Sequence, residues 1–468
     1  MKAKLFFLSV IFSILSTALT AQVSKEQADD IVQRYIEIEI NNYYWLYFNE
    51  NIADNNGATT LFNWKKEPIS DDNSCFVYFI DEHPYANWAH PCRYLLVNKN
   101  SGQLHVIKTK TPPEKLGTWE MITPLPNIPN GAKFDFSQIN PNLQPGNTQN
   151  SYAVIISGGY DEYYNWERYW NDCSAIYSTL ISVYGYSKNN IYVLMSNGTD
   201  PSIDRHLNDG SYDSSPLDLD GDGLPDIQYA ATKNDITTVF NTLANILTPD
   251  DNLFIFTTGQ GDLLSSCEVT LELWHETITA SEFAAEVDKV NAGSISVVMG
   301  QSFSGGFIPH LAKQRRNIAT ACSGAEYSWA MPPFYTYNEF VYHWTAAVAG
   351  YTLCGTGVNA DSNNDGYISM KEAFDYAESN DTRSETPQYH SIGQHLGDCI
   401  TLYGCSLPLN YTNETVTQNT DIIHCNEINV QYVTVEQGAK LTLEAKGMTT
   451  IIGDFEVELG SELEVRGR

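Results

Sequence analysis

The chain has 468 residues, room for roughly two to four domains, and 42% hydrophobic residues suffice for ordinary cores. It carries 57 Asp and Glu against 26 Lys and Arg, a formal net charge of −31 at pH 7. That balance excludes nucleic acid and anionic membrane as expected partners, and it suits cation binding and solubility outside the cell.

Residues 1–21 read as a secretory signal. Lys2 and Lys4 form a basic start, residues 5–15 an apolar stretch, and Ser16, Thr17, Ala18 and Ala21 a cleavage zone. No later apolar run is long enough to span a bilayer. The expected location is secreted, extracellular or at the cell surface, with no transmembrane segment. Nine cysteines follow the signal, and export permits disulfides. An odd count leaves at least one thiol over, and irregular spacing without Cys-x-x-Cys argues against zinc. Cys75 with Cys92, and Cys399 with Cys405 or Cys425, are the pairs considered.

Residues 22–123 read as a separate α+β module. Ser24 and Gln27 match a capping box, and Ala28, Ile31, Val32, Tyr35 and Ile36 follow at helical spacing. Residues 75–82 read as a strand, and 93–110 as a hairpin turning at Asn100, Ser101 and Gly102. A helix on a small antiparallel sheet resembles the propeptide modules that precede secreted peptidases. The resemblance implies a pro-domain or inhibitor; a spacer is the alternative. Residues 124–150, rich in Pro, Asn and Gly, read as a linker.

Residues 151–406 read as α/β. Buried strands are expected at 153–159, 190–196, around Phe254, at 295–299 and at 317–323. Helices are expected at 169–184, at 235–247, and from the capping pair Thr279 and Glu282 to residue 290. The alternation predicts a doubly wound, mostly parallel sheet. Residues 407–468 alternate Thr, Val, Ile and Glu between Gly turns and predict a small all-β module, a β-sandwich or a short β-solenoid. It resembles the C-terminal β modules of exported proteins of Bacteroidetes-type bacteria. That resemblance implies sorting or cell-surface association; plain stabilisation is the alternative.

Two strand ends carry the chemistry. The run LFIFTTGQGD (253–262) leads a buried strand into Gly259, Gln260 and Gly261. The run VVMGQSFSGGF (297–307) breaks at Gly300 into a polar turn holding Gln301, Ser302, Gly305 and Gly306, with a helix expected from Phe307. Together these strings resemble clan CD cysteine peptidases, the caspase, legumain (C13) and gingipain groups. In that family the first strand ends in a Gly-His-Gly-like turn and the second in a Gln-x-Cys-like string. By position, Gln260 stands for the catalytic His and Ser302 for the catalytic Cys. The resemblance covers residues 151–405 and implies a caspase-like fold whose family activity would be that of a cysteine endopeptidase. After the first strand, Asn165 and Arg168 match a legumain string with one residue out of register. Arg168 reads either as a pocket residue or as a surface arginine.

Both catalytic identities are replaced. A Cys nucleophile works as a thiolate helped by a nearby His. A Ser hydroxyl needs a general base in contact, and Gln has no proton affinity near pH 7. Loss of both partners predicts a pseudoenzyme.

Two acidic loops suggest Ca²⁺ as a cofactor. The run DSNNDGYISMKE places Asp361, Asn363 and Asp365 at positions 1, 3 and 5 of an EF-hand loop. Gly366 stands at the turn, Tyr367 offers its carbonyl, Ser369 takes position 9 and Glu372 the bidentate position 12. The run DLDGDGLPD repeats the front of that pattern with Asp218, Asp220, Asp222 and Asp226, without an acid at position 12.

The reading is a secreted, calcium-binding caspase- or legumain-like pseudopeptidase that binds peptide or protein without cutting it. One alternative is a weak serine-type hydrolase. Gly300-Gln301-Ser302-Phe303-Ser304 falls one residue short of Gly-x-Ser-x-Gly. It would need a His and an acid at Ser302, yet His275, His310, His390 and His395 lie in no recognisable motif. The other alternative is an inert surface structural protein. The groups within hydrogen-bond reach of Ser302 separate these readings.

Overall fold

The computed structural model describes residues 22–41, 43–49, 61–70, 74–87, 90–123, 146–265, 268–352, 355–391, 396–405, 407–424 and 426–467. The signal segment, positions 124–145 of the linker, and Cys267, Cys354, His395 and Cys425 lie outside the described residues. Contacts divide the chain into two units. The first runs to Glu82 and adds Cys92–Glu114 and Thr118–Thr123; the second comprises His83–Pro91, Lys115–Gly117 and everything from Pro124.

In the first unit, helix α1 (Lys25–Glu39) starts at Ser24 with both capping-box bonds formed to Gln27. It buries Ala28, Val32 and Ile36, the i, i+4, i+8 stripe of an amphipathic helix. The stripe packs on a five-stranded antiparallel sheet of β1 (Trp45–Asn49), β2 (Cys75–Asp81), β3 (Cys92–Asn98), β4 (Leu104–Thr109) and β5 (Glu120–Met121), in the order β4-β3-β2-β1-β5. The β3–β4 hairpin turns at residues 99–103 as expected, with Gly102 at φ +69°. Cys75 and Cys92 do not pair. In the β2–β3 ladder Cys75 faces Asn98 while Cys92 faces Asp81. They sit at opposite ends, about 20 Å apart at strand rise, far beyond disulfide reach.

The second unit is built on a six-stranded sheet. Its strands are β6 (Ser151–Ser157), β7 (Ile191–Met195), β8 (Asn252–Thr258), β9 (Ser294–Met299), β10 (Arg316–Thr320) and β11 (Gln388–Ser391). The order is β11-β10-β9-β8-β6-β7, with every pair parallel except β10–β11. The central strands are continuous apolar runs because both faces are covered. One face, with Ile155, Phe254, Phe256 and Val298, packs on α2 (Glu167–Ser182), α6 (Glu339–Ala349) and α7 (Met370–Asn380) through Tyr177, Leu180, Trp344 and Phe374. The other, with Val154, Ile255, Val297 and Ile318, packs on α3 (Lys233–Ile246), α4 (Ala280–Val287) and α5 (Ile308–Leu311) through Val239, Phe240, Phe283 and Leu311. Each fully buried large apolar side chain here contributes ~2 kcal/mol. Helix α4 begins at the expected Thr279–Glu282 capping box. A short antiparallel ribbon, Gly261–Ser265, Glu268–Glu272 and Thr277–Thr279, follows β8.

After Cys405 the same unit continues as a three-sided parallel solenoid, which decides between the two expected β architectures. Successive rungs stack in register: Leu409–Thr412 on Ile428–Gln431 on Thr449–Ile451, and likewise on the other two sides. Tyr411, Ile422, Val430, Val435, Leu441 and Leu443 fill the interior. Cys405 is disulfide-bonded, whereas Cys399 is a buried free thiol. Cys399 therefore joins neither Cys405 nor Cys425.

No helix among the described residues is long and apolar enough to cross a membrane.

Candidate functional site

The carboxyl ends of β8 and β9 lie side by side, since the two strands pair in parallel with Thr257 opposite Met299. Gln260 and Ser302 follow those ends, and both are fully buried. The turns leave no spare space. Gly259 has φ +124°, a conformation reserved for glycine. A Cβ on Gly261 would stand 2.1 Å from the carbonyl oxygen of Ser302. Just past Ser302, Phe303 holds a left-handed φ of 58°. A non-glycine residue there costs about 1–3 kcal/mol and is characteristic of functional turns.

Ser302 Oγ donates to the main-chain carbonyl of Asn87 (3.2 Å) and accepts from the Ser328 N–H (3.0 Å). Neither partner is a base. Gln260 Nε2 donates to the Tyr164 carbonyl (2.9 Å). The described histidines His275, His310 and His390 make no hydrogen bond to Ser302.

Residues 83–87, grouped with this unit, turn at 84–85 and then lie against the site. Ala86 forms an antiparallel bridge with Trp329, the Ala330 N–H donates to the Tyr85 carbonyl (2.9 Å), and the Asn87 N–H donates to the Ser328 carbonyl (2.9 Å). The Asn87 side chain is fully buried. Its Oδ1 accepts from Tyr169 Oη (2.6 Å) and from Arg168 Nη2 (2.7 Å) and Nε (3.2 Å). Its Nδ2 donates to Ser328 Oγ (2.8 Å) and Asn338 Oδ1 (3.2 Å).

Arg168 is thus a buried arginine bonded to Asn87 and not a surface one. It is 2% exposed, forms no ion pair among the described residues, and lies against the Trp166 and Tyr169 rings at 5.2 and 4.8 Å. Asn165, its companion in the sequence match, points elsewhere and bonds Ser196 and the Asp204 carbonyl.

Behind the pocket, Asn338 Nδ2 donates to Asp172 Oδ2 (2.7 Å) and Thr258 Oγ1 (2.9 Å). Thr258 Oγ1 itself donates to Asp172 Oδ2 (2.8 Å). Burial pushes the Asp172 carboxyl up to about 8, against these donors and the charge of Arg168. The pocket residues Asn87, Ser328 and Asn338 are invisible to motif reading. They come from three distant stretches and none sits at a strand end.

The two acidic loops differ. Asp218, Asp220 and Asp222 bring carboxylate oxygens within 4.8 Å of one another. Oxygens that close together could hold a metal ion. The Lys188 ammonium also reaches in, to Asp220 (2.8 Å), Asp222 (2.9 Å) and Asp226 (3.1 Å). Asp226 is buried and already accepts from Tyr177 Oη (2.7 Å) and the Leu219 N–H (2.8 Å). It anchors the loop.

In the second loop, Asp361, Asn363 and Asp365 accept main-chain N–H groups from Asp365, Gly366 and Tyr367, and Gly366 has φ +87°. Glu372 folds back over the loop. Its Oε1 accepts from Ser362 N and Oγ, and its Oε2 from Ser369 N and Oγ. Ser369 is thereby the cap of α7 in a capping box with Glu372. Among the described residues, the carboxylates of this loop do not form a cluster as tight as the Asp218 one. Burial, with the Glu372 and Asp361 charges adding, raises the Asp365 carboxyl. Like charges converging without a counter-charge are what a cation relieves.

No protein-family model matches the chain, and no curated protein matches it. Among solved structures, protein GSU0716 from Geobacter sulfurreducens is similar at 11% identity and a TM-score of 0.32, covering 51% of this chain and 92% of that one. Similarity at that level carries no argument.

Proposed function

We propose that residues 151–405 form a clan CD peptidase-like domain of the caspase, legumain and gingipain type that has lost catalysis and binds an extended peptide or protein segment outside the cell. The single observation that carries this reading is the pair of main-chain bonds at Ser302 Oγ, to the Asn87 carbonyl and from the Ser328 N–H. The hydroxyl faces a peptide carbonyl, where a nucleophile would stand, and no general base touches it. The sheet order, with one antiparallel edge strand and reactive positions at the carboxyl ends of β8 and β9, supports the family resemblance. A serine hydrolase finds no support at Ser302. Ca²⁺ as the cofactor of the Asp218 and Asp361 loops belongs to the same proposal, supported by hard oxygen ligands in alternation.

The test is the full chain against a fluorogenic peptide library with Arg, Lys, Asn or Asp before the scissile bond, in calcium, with a serine-directed fluorophosphonate alongside. The expected result is binding without turnover or labelling. Turnover or labelling that disappears in Ser302→Ala would replace this reading with a hydrolase.

A further inference from the structure

We propose that a cavity between helix α2 and the Asp218 loop is a separate binding site, and that it takes an ammonium or guanidinium group carried on an alkyl chain. It shares no lining residue with the strand-end site around Ser302, and the proposal does not rest on the peptide-binding reading above.

The cavity holds about 320 Å³, near the lower end of the range for small-molecule sites. One wall is a stripe of α2: Asn171, Ser174, Ala175 and Ser178 follow at the i, i+3, i+4, i+7 spacing of a single helix face. The loop supplies Asp218 and Asp220, and Trp170 with Tyr337 supplies aromatic surface. The loop is shaped before any ligand arrives. Asp218 Oδ1 accepts from the Gly221 N–H (2.6 Å) and Oδ2 from the Gly223 N–H (2.8 Å), and both glycines hold a positive φ. A carboxylate fixed by main-chain donors meets a ligand with little further ordering cost.

The chemistry of the wall selects the ligand, because its donors are already committed. Trp170 Nε1 donates to the Pro216 carbonyl (2.9 Å) and Asn171 Nδ2 to the Thr336 carbonyl (3.0 Å). Ser174 Oγ (2.6 Å) and Ser178 Oγ (3.4 Å) both donate to the Leu219 carbonyl. Of these four side chains only Asn171 keeps a proton, the second on Nδ2. What the cavity offers is acceptors: two carboxylates, the serine lone pairs and Asn171 Oδ1. The charge agrees. Lys188 binds Asp220, Asp222 and Asp226 at 2.8–3.1 Å, but it neither pairs with Asp218 nor lines the cavity. Arg205 lies over the Trp170 ring at 5.3 Å, yet it is paired with Asp213 (2.7 Å) and is no part of the lining. An anionic cavity of acceptors and aromatic surface suits a cation that donates hydrogen bonds. Lys188 shows the same loop already holding one ammonium through three carboxylates. Ca²⁺ at this loop would draw on Asp218 as well, so the two cations weaken each other by the same factor.

The experiment titrates the full chain calorimetrically with pentylammonium chloride, in chelator and about 0.15 M salt, with 1-pentanol as the neutral control. One saturable site is expected, about tenfold tighter for the amine than for the alcohol and about tenfold weaker in Asp218→Asn. A folded Asp218→Asn that binds the amine as well as wild type, or an alcohol that binds as tightly as the amine, overturns the proposal. Should Asp218→Asn fail to fold, Ser174→Lys decides. It brings an ammonium of the chain's own to the cavity wall and should abolish the site, and undiminished binding overturns the proposal. Acetyl-Gly-Lys-Gly-amide separates the two sources of the group. Binding as tight as that of pentylammonium supports a lysine side chain of another protein, and weaker binding supports a free amine. Calcium chloride should weaken pentylammonium binding to wild type. Binding unchanged by calcium would remove Ca²⁺ from this loop and leave the cavity proposal standing.

Discussion

Ser302 Oγ and the main-chain carbonyl of Asn87 lie 3.2 Å apart, although 215 residues separate them in the chain. The contact sets a hydroxyl against a peptide carbonyl oxygen inside a buried polar network. What that network is worth can be measured by cutting it at Asn87.

Asn87→Ala should destabilise the protein by about 3 kcal/mol. The substitution leaves the Arg168 guanidinium buried without its acceptor and strips Tyr169 Oη of one. Orphaned buried donors cost about 1–3 kcal/mol each, more when charged. The check is the urea midpoint at constant m-value. A loss below about 0.5 kcal/mol would mean that water fills the pocket without penalty.

Two of the raised carboxyls, Asp172 and Asp381, lend stability a pH dependence that can be tested. Burial pushes Asp172 up to about 8 and Asp381 up to about 7, the Glu339 charge adding to the latter. Unfolded, both titrate near 3.9. Between about pH 4 and each folded value the native chain therefore holds a proton that the unfolded chain has released. Stability contributed by these protons is complete below pH 4 and is lost as pH rises to about 7 and 8. The slope is at most ~1.4 kcal/mol per pH unit for each group. Unfolding curves at pH 5 and pH 8 in chelator should show the protein more stable at pH 5, and Asp381→Asn should flatten the difference. Greater stability at pH 8 in that chelator series would refute the assignment.

Much of this architecture is legible in the sequence because local and global signals agree there. The run at 252–258 is apolar throughout because both faces of β8 are covered, and Thr279 with Glu282 marks a real helix start. Helix α6 has no readable period because ten of its eleven residues are buried, which leaves no polar face to set one. The edge strand β11, QYHS, lacks the apolar alternation that would mark it as a strand, whereas Glu268–Glu272 in the ribbon, EVTLE, does alternate and is readable. At the site, Gln260 and Ser302 are readable as strand-end positions. The occupant is not, since residues 83–91 belong in sequence to one module and in contacts to the other unit. Nothing in the string HPYAN announces that fate.

The Asp218 loop should bind Ca²⁺ in competition with its own lysine. Lys188 sits within 3.1 Å of three carboxylates. Its removal by Lys188→Met should raise Ca²⁺ affinity about tenfold, a modest Coulomb term for a partly exposed charge. Asp220→Asn should lower it. Isothermal titration with CaCl₂ measures both; identical affinity in wild type and Lys188→Met would show that the lysine does not compete, and affinity unmoved by Asp220→Asn would show that this loop is not where the cation binds.

Glu372→Ala tests the other loop. It removes both carboxylate oxygens and half of the α7 capping box, so about 1 kcal/mol should be lost even in chelator. If the loop binds Ca²⁺, the melting temperature should fall further in calcium than in chelator. Equal losses in the two buffers would confine Glu372 to its capping role.

Gln260→His combined with Ser302→Cys would return a base and a thiol to the two strand ends. The Tyr164 carbonyl, which now accepts from Gln260, is available to orient a ring N–H at position 260. The carbonyl nearest position 302 is the chain's own, at Asn87. The double variant should therefore attack itself before it attacks any added peptide. The thiol passes its proton to the introduced imidazole, and its sulfur adds to the Asn87 carbonyl carbon. That proton then goes to the departing nitrogen of residue 88, and water hydrolyses the thioester to leave a free carboxylate on Asn87. Intact-mass spectrometry should show slow nicking after Asn87, gaining one water, which Asn87→Ala in the same background suppresses. Ser302→Cys alone should stay intact, because Gln260 cannot take the proton. A folded double variant that remains whole, with its thiol open to iodoacetamide, would mean that the carbonyl and the sulfur do not reach reacting geometry.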